Sequence, residues 1–199
     1  MVTLEMQGRR WEIFLSSVDL FSRNGYENVS VRDIAASNGM RAPSLYNHFP
    51  SKEAILCQMY EFYCQNVIDA APNLKSVLDQ IPEKTPNEIL HLSMSYYSEE
   101  LQPIMDKIYI ISVMQSYRDP RAYEIIWKYN IEHSKDTLRT VLQRMIEHNK
   151  IQPLDIDSFL ELFVSFAFTT IFRNRSSDAL GIENWMAGLD MLFSLAKQA

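Results

Sequence analysis

The feature that most constrains this chain is the spacing of its interruptions. Only 5 Gly and 8 Pro occur in 199 residues, mostly between segments whose apolar residues recur at helical spacing. No segment alternates apolar and polar residues as a half-buried strand does. The periodicity therefore predicts an all-α fold of about nine helices.

The first helix is expected from about Gln7 to Asn24, with Trp11, Phe14, Leu15, Val18 and Phe21 on one face and Gly25 as its stop. Ser30 and Asp33 have the spacing of a reciprocal capping box, opening a short helix that ends at Gly39. A second short helix is expected over Ala42 to Asn47 with Leu45 inward, and Ser51 caps a long one reaching about Ala70. Pro72, Pro82 and Pro86 break the next stretch, which holds a weak helix at "NLKSVLDQI". Thr85 to Glu88 is a second capping box, opening a helix to about Glu99. Further helices are expected over Pro103 to Tyr117, from Asp119-Pro120 to about His148, from Asp155 or Asp157 through "SFLELFVSFAFTTIFRNR", and over "ENWMAGLDMLFSLAK". This organisation suggests domains at 1–70 and 71–199.

Charge separates the two ends. Residues 1–52 hold six of the 19 Lys and Arg and five of the 25 Asp and Glu. That leaves 13 basic against 20 acidic residues for the remainder. A net charge of -6 argues against broad polyanion binding, and places any polyanion partner at the N-terminal end. Within that end, "GMRAPSLYNHFPSK" (Gly39–Lys52) contains no carboxylate. Met1 to Arg10 lacks the apolar core of a secretory signal. The longest apolar run, Phe159–Phe172, is too short to span a bilayer and contains Glu161, so a cytoplasmic location is expected. Cys57 and Cys64 lie about 10.5 Å apart along one helix, too far for a mutual disulfide, and are expected as reduced thiols.

Two short helices joined by a glycine turn and braced by longer ones describe a helix-turn-helix module, whose second short helix enters the DNA major groove. "VSVRDIAASNGMRAPSLYNHFPSKEAIL" (Val29–Leu56) closely resembles the DNA-binding signature of the TetR (tetracycline repressor) family of bacterial regulators. The matching positions are Asp33-Ile34-Ala35, Gly39, Leu45-Tyr46, His48-Phe49 and Ser51-Lys52-Glu53. Two positions depart from that pattern. Arg41 stands where a small hydroxyl residue usually caps the recognition helix, and Pro43 where Gly is frequent.

The resemblance and the side-chain chemistry together nominate DNA contacts. Tyr46, His48 and Lys52 carry donors that could fix phosphates and set register, and Ser30 and Lys52 stand near helix starts that attract anions. Arg41 can pair bidentately with guanine and Asn47 with adenine, while Ala42, Pro43 and Ser44 offer close apolar or hydroxyl contact. Leu45, Phe49, Ile34 and Ala35 are expected in the core.

The C-terminal part is expected to be a helical ligand-binding and dimerisation domain. Leu160, Phe163, Val164, Ala167, Phe168 and Ile171 form one apolar stripe; Met186, Leu189 and Phe193 belong to another. The resemblance implies a four-helix homodimer interface built from them. Met94, Tyr97, Tyr109, Met114, Tyr117 and Trp127 combine adaptable and amphipathic side chains of the kind that line apolar pockets, although at helical spacing such residues are commonly plain core.

His91, His133 and His148 have no partner at a metal-ligand spacing, and no phosphate-binding loop or nucleophile elbow occurs. Neither metal, cofactor nor catalysis is expected. The resemblance implies a repressor of a palindromic duplex operator, released when a small molecule shifts the spacing of two recognition helices. An activator, a helical ligand-binding protein that does not bind DNA, and thiol sensing through Cys57 and Cys64 are the alternatives.

Overall fold

The computed structural model describes residues 6–70, 73–94 and 100–173, and no strand occurs among them. Among the described residues ten α-helices follow one another: α1 (Arg9–Asn24), α2 (Val31–Ser37), α3 (Ala42–Leu45), α4 (Lys52–Ala70), α5 (Asn73–Gln80), α6 (Pro86–Met94), α7 (Gln102–Gln115), α8 (Pro120–Glu124), α9 (His133–Glu147) and α10 (Ile156–Arg173). A π-helical segment, Ile125–Glu132, joins α8 to α9.

The capping signals act where they were expected. The Thr85 N–H donates to the Glu88 carboxylate at 2.8 Å, and Asp119 accepts from the Arg121 N–H at 3.0 Å. Asp155 receives the Ser158 N–H at 3.3 Å, and the hydroxyl of Ser51 receives the Ala54 N–H at 3.0 Å. The stretch expected as one helix from Asp119 to about His148 instead changes winding at Ile125. Ile125 and Ile126 are both buried there, and the wider π turn lets two adjacent branched side chains face the core. The expected final helix and the last residues of the one after Thr85 lie outside the described residues.

The chain divides into two compact units. The first comprises Met1–Ala71 and Tyr97–Asn130. In it α7 packs against α1 and α4. Trp11, Phe14 and Phe62 form an aromatic cluster with centroids 5.2 to 5.7 Å apart, and Ile13, Val18, Phe21 and Met59 complete the centre. Leu15, expected on the buried face of α1, is half-buried, and Ile13 is fully buried beside Phe14.

The second unit comprises Pro72–Tyr96 and Ile131–Ala199. Ile81, Ile89, Leu90, Val141, Leu142 and Met145 are at its centre, with Phe159, Leu160 and Phe163 of α10 packed on them. Lys135–Glu161 (2.6 Å) and Arg139–Asp157 (2.5 Å) join α9 to α10 at the surface.

Candidate nucleic-acid interface

The interface begins with α2, which is fully capped. The Ser30 hydroxyl accepts the Asp33 N–H at 3.2 Å, and the Asp33 carboxylate accepts the Ser30 N–H at 2.8 Å and its O–H at 2.6 Å. These bonds from Ser30 hold the Asp33 carboxyl below its usual range. At the other end, the Gly39 N–H donates to the Ala36 carbonyl and the Met40 N–H to that of Ala35. This is a Schellman stop, and Gly39 supplies the positive φ (64°) it requires. The side-chain amide of Asn38 donates to Ser16 of α1 at 2.6 Å and to the Ile34 carbonyl at 2.8 Å, while Arg9 donates to the Asn38 carbonyl. The turn of the module is thus pinned to α1.

Helix α3 is four residues long and has no side-chain cap, because Arg41 at the N-cap has no acceptor to offer. Pro43 sits in the first turn, where a missing N–H costs nothing. Two anchors hold the helix: Leu45 is 0% exposed and Phe49 1%. Around them Arg41, Pro43, Ser44, Tyr46 and Asn47 face solvent, with Ala42 and His48 half-buried. The structure therefore gathers seven of the nine candidate DNA-contact residues on or beside one short helix. Ser30 is also exposed, but its polar groups serve the cap. Arg32, a further cation absent from the expected contacts, is exposed in the first turn of α2. Its position beside the Ser30 cap, two residues into a short helix, was the available signal.

Lys52 is placed differently from the phosphate donor that was expected. Its ammonium donates to the carbonyls of Tyr26 at 2.8 Å and Val29 at 2.9 Å, and lies 4.1 Å from the Tyr26 ring centroid. Two of its three N–H donors are engaged inside the fold. Those carbonyls belong to the loop entering α2, so Lys52 ties the start of α4 to the start of the helix-turn-helix.

The same end of α4 meets α8. Arg121 donates through Nε and Nη2 to the two oxygens of Asp119 (2.9 and 2.8 Å), through Nη2 to Glu53 (3.1 Å), and through Nη1 to the sulfur of Cys57 (2.9 Å). The Arg121 bond holds the Asp119 carboxyl below its ordinary range. Burial, reinforced by Glu53, raises the Tyr26 phenol. At the end of α1, Gly25 (φ 80°) faces Met114 of α7. A Cβ built on Gly25 would stand 3.3 Å from the Met114 Cε, a flexible methyl, and it is the positive φ that favours glycine there. Lys107 of α7 pairs with Asp19 of α1 at 2.9 Å.

The candidate ligand residues do not converge among the described residues. Tyr109 is buried, its phenol pushed up to about 12 by desolvation, and Met114 is half-buried against Gly25. Tyr117, in contrast, is 99% exposed and Trp127 is 48% exposed, stacked on Tyr123 at 6.4 Å. Tyr117 thus belongs to the surface, because the turn after α7 carries it past the last packed residue, Gln115. The side chains of Met94 and Tyr97 lie outside the described residues. Of the candidate dimer residues, Leu160 and Phe163 are buried within their own unit and Val164 is half-buried. The side chains of Ala167, Phe168, Ile171, Met186, Leu189 and Phe193 lie outside the described residues.

Cys57 and Cys64 are free thiols, each half-buried, and burial raises the Cys64 thiol. Among the described residues no three or more His, Cys, Asp or Glu side chains stand together as a metal site, and no helix is long and apolar enough to cross a membrane.

Comparison with known proteins supports this arrangement. Residues 13–59 match the family model described as bacterial regulatory proteins, tetR family. The biofilm operon icaADBC HTH-type negative transcriptional regulator IcaR of Staphylococcus epidermidis is 25% identical over 171 residues, 86% of each chain. Matches to other curated regulators are shorter, covering 36% of the length of one and 24% of another. Among solved structures, the ketosteroid transcriptional regulator KstR2 of Mycobacterium tuberculosis superposes with a TM-score of 0.67 at 21% identity, covering 97% of both chains. The regulator FadR from Bacillus subtilis, solved with stearoyl-CoA, superposes with a TM-score of 0.59 at 20% identity, covering 94% of this chain and 98% of that one. Residues 13–59 therefore carry the module of the tetR family of bacterial regulatory proteins, and the chain shares the fold of the solved regulator KstR2.

Proposed function

We propose that this chain is a dimeric DNA-binding transcriptional repressor whose hold on its operator is released by a small molecule. One observation carries the DNA-binding part. The four-residue helix α3 buries Leu45 completely while turning Arg41, Pro43, Ser44, Tyr46 and Asn47 to solvent. A helix so short that exposes so much of itself is suited to being read against another surface. With no carboxylate between Gly39 and Lys52, that surface is a polyanion. Arg41, free of any capping role, supplies the planar fork for a guanine edge; Asn47 can serve adenine, and Tyr46 and His48 can meet phosphates.

Repression is favoured because IcaR is a negative regulator, and an effector with an apolar chain because FadR was solved with stearoyl-CoA. Leu162, 59% exposed on α10, supports a partner helix along that face. An activator and a helical ligand-binding protein without DNA affinity are the competing readings.

The test is selection of duplexes from a random pool by the full-length chain. A repressor of this kind enriches a pseudo-palindrome with half-sites about 34–36 Å apart. Arg41→Ala should weaken binding and relax one position of each half-site, and Tyr46→Phe should weaken binding alone. Stearoyl-CoA added to the complex probes the effector class. Enrichment of no duplex sinks the DNA-binding reading, and unchanged binding by both variants sinks the residue assignments.

A further inference from the structure

Arg121 stands some seventy residues beyond the helix-turn-helix, yet its guanidinium reaches two residues of α4 that bear on how that module is held. Its fork is oriented first by Asp119, whose side chain is 13% exposed and which also caps α8 through the Arg121 N–H. The outward side of the fork then reaches Glu53 and Cys57, one turn apart at the beginning of α4. Lys52, next to Glu53, holds the Tyr26 and Val29 carbonyls, and Ser30 follows as the cap of α2. Polar contacts, linked through the adjacent residues Lys52 and Glu53, thus run from α8 to the entrance of the module.

An exposed ion pair such as Arg121–Glu53 contributes little by itself. This one differs because Asp119 fixes the guanidinium beforehand, so little rotamer freedom remains to be lost. Four of the five N–H donors are used: two bonds to one carboxylate, one to a second, one to sulfur. The neighbouring contacts between α7 and α1, Lys107–Asp19 and Met114 against Gly25, do not reach α4. Arg121 alone among these ties the start of α4.

We propose that Arg121 is a positioning residue for DNA reading: it holds the first turns of α4, and through Lys52 the loop entering α2, in the pose that presents α3. This rests on the DNA-binding reading above. Arg121 itself does not touch DNA, and its effect passes through Glu53 and Cys57.

The probe is the fluorescent duplex that the wild-type chain selects from a random pool, titrated between about 50 and 200 mM salt, with the active fraction measured by stoichiometric titration. Arg121→Ala should bind about tenfold more weakly at unchanged active fraction, with the slope of log affinity against log salt unchanged. Glu53→Gln, an exposed change, should weaken binding about threefold, and it carries the test if Arg121→Ala does not fold. The double variant should bind no more weakly than Arg121→Ala, because Glu53→Gln weakens a contact that Arg121→Ala already removes. Wild-type affinity in both single variants overturns the proposal. A slope flattened by about 0.9 also overturns it, since Arg121 would then be meeting a phosphate. A loss explained wholly by a reduced active fraction overturns it in favour of a purely structural role. If the wild-type chain selects no duplex, the DNA-binding reading fails first and this assignment falls with it.

Discussion

The two short helices of the module are neighbours in sequence and opposites in how they are held. Helix α2 closes both of its own ends: the Ser30–Asp33 box at one, the Gly39 Schellman turn at the other. Helix α3 has neither a side-chain cap nor the length to propagate, and exists because Leu45 and Phe49 are buried beneath it. A four-residue helix in isolation would not survive its nucleation cost. The difference matters for function: α2 is a rigid support, while α3 keeps its outward residues free of structural duty. Arg41 illustrates this directly, standing at the N-cap without capping.

The comparison can be broken most severely at its buried point. Leu45→Ala should cost about 3 kcal/mol of unfolding free energy in urea titration, the usual penalty for emptying a fully packed leucine site. A loss under about 1 kcal/mol would mean that α3 does not depend on burial. Lys52→Met keeps the apolar stem and removes the donors to the Tyr26 and Val29 carbonyls. It should cost about 2 kcal/mol, as hydrogen bonds to a charged group do. Hydrogen exchange would show faster exchange around residues 26–30 than in α9, and equal protection would rule out the clamp.

Ser30→Ala should cost about 1 kcal/mol, the worth of a helix cap. Its pH dependence has a definite sign. The folded Asp33 carboxyl titrates below its usual 3.8, so the contribution is present above that value and lost as pH falls through the lower folded one. Ser30→Ala should flatten this acid-side fall in stability, measured by thermal melts across acid pH. The smallest effect has the opposite sign. Arg41→Ser gives α3 the cap it lacks and should stabilise by about 0.5 kcal/mol, while weakening binding to the selected duplex. If Arg41→Ser strengthens DNA binding instead, the guanidinium is not a reading group.

Much of the candidate interface is legible in the sequence. Ser30 with Asp33, Gly39, Thr85 with Glu88 and Asp119 with Pro120 act within four residues of chain, so their spacing predicts their bonds. The inward positions Ile34, Leu45 and Phe49 follow from helical period in the same way. Ile13 escaped because the face of α1 was drawn through Leu15, one residue off the true centre of burial. Tyr117 looked like one more member of an aromatic set, and only the end of α7 decides that it stands in solvent.

The sequence by itself determined most of the described helices, their local stops and the polarity of α3, because caps, turns and hydrophobic period depend on neighbours a few residues away. Only the tertiary structure decided where the long cationic side chains go. Lys52 finds its carbonyls 23 and 26 residues back along the chain, and Arg121 finds Cys57 and Glu53 at 64 and 68. A flexible cation seeks whichever acceptors packing brings within reach. No spacing rule in the chain encodes that choice.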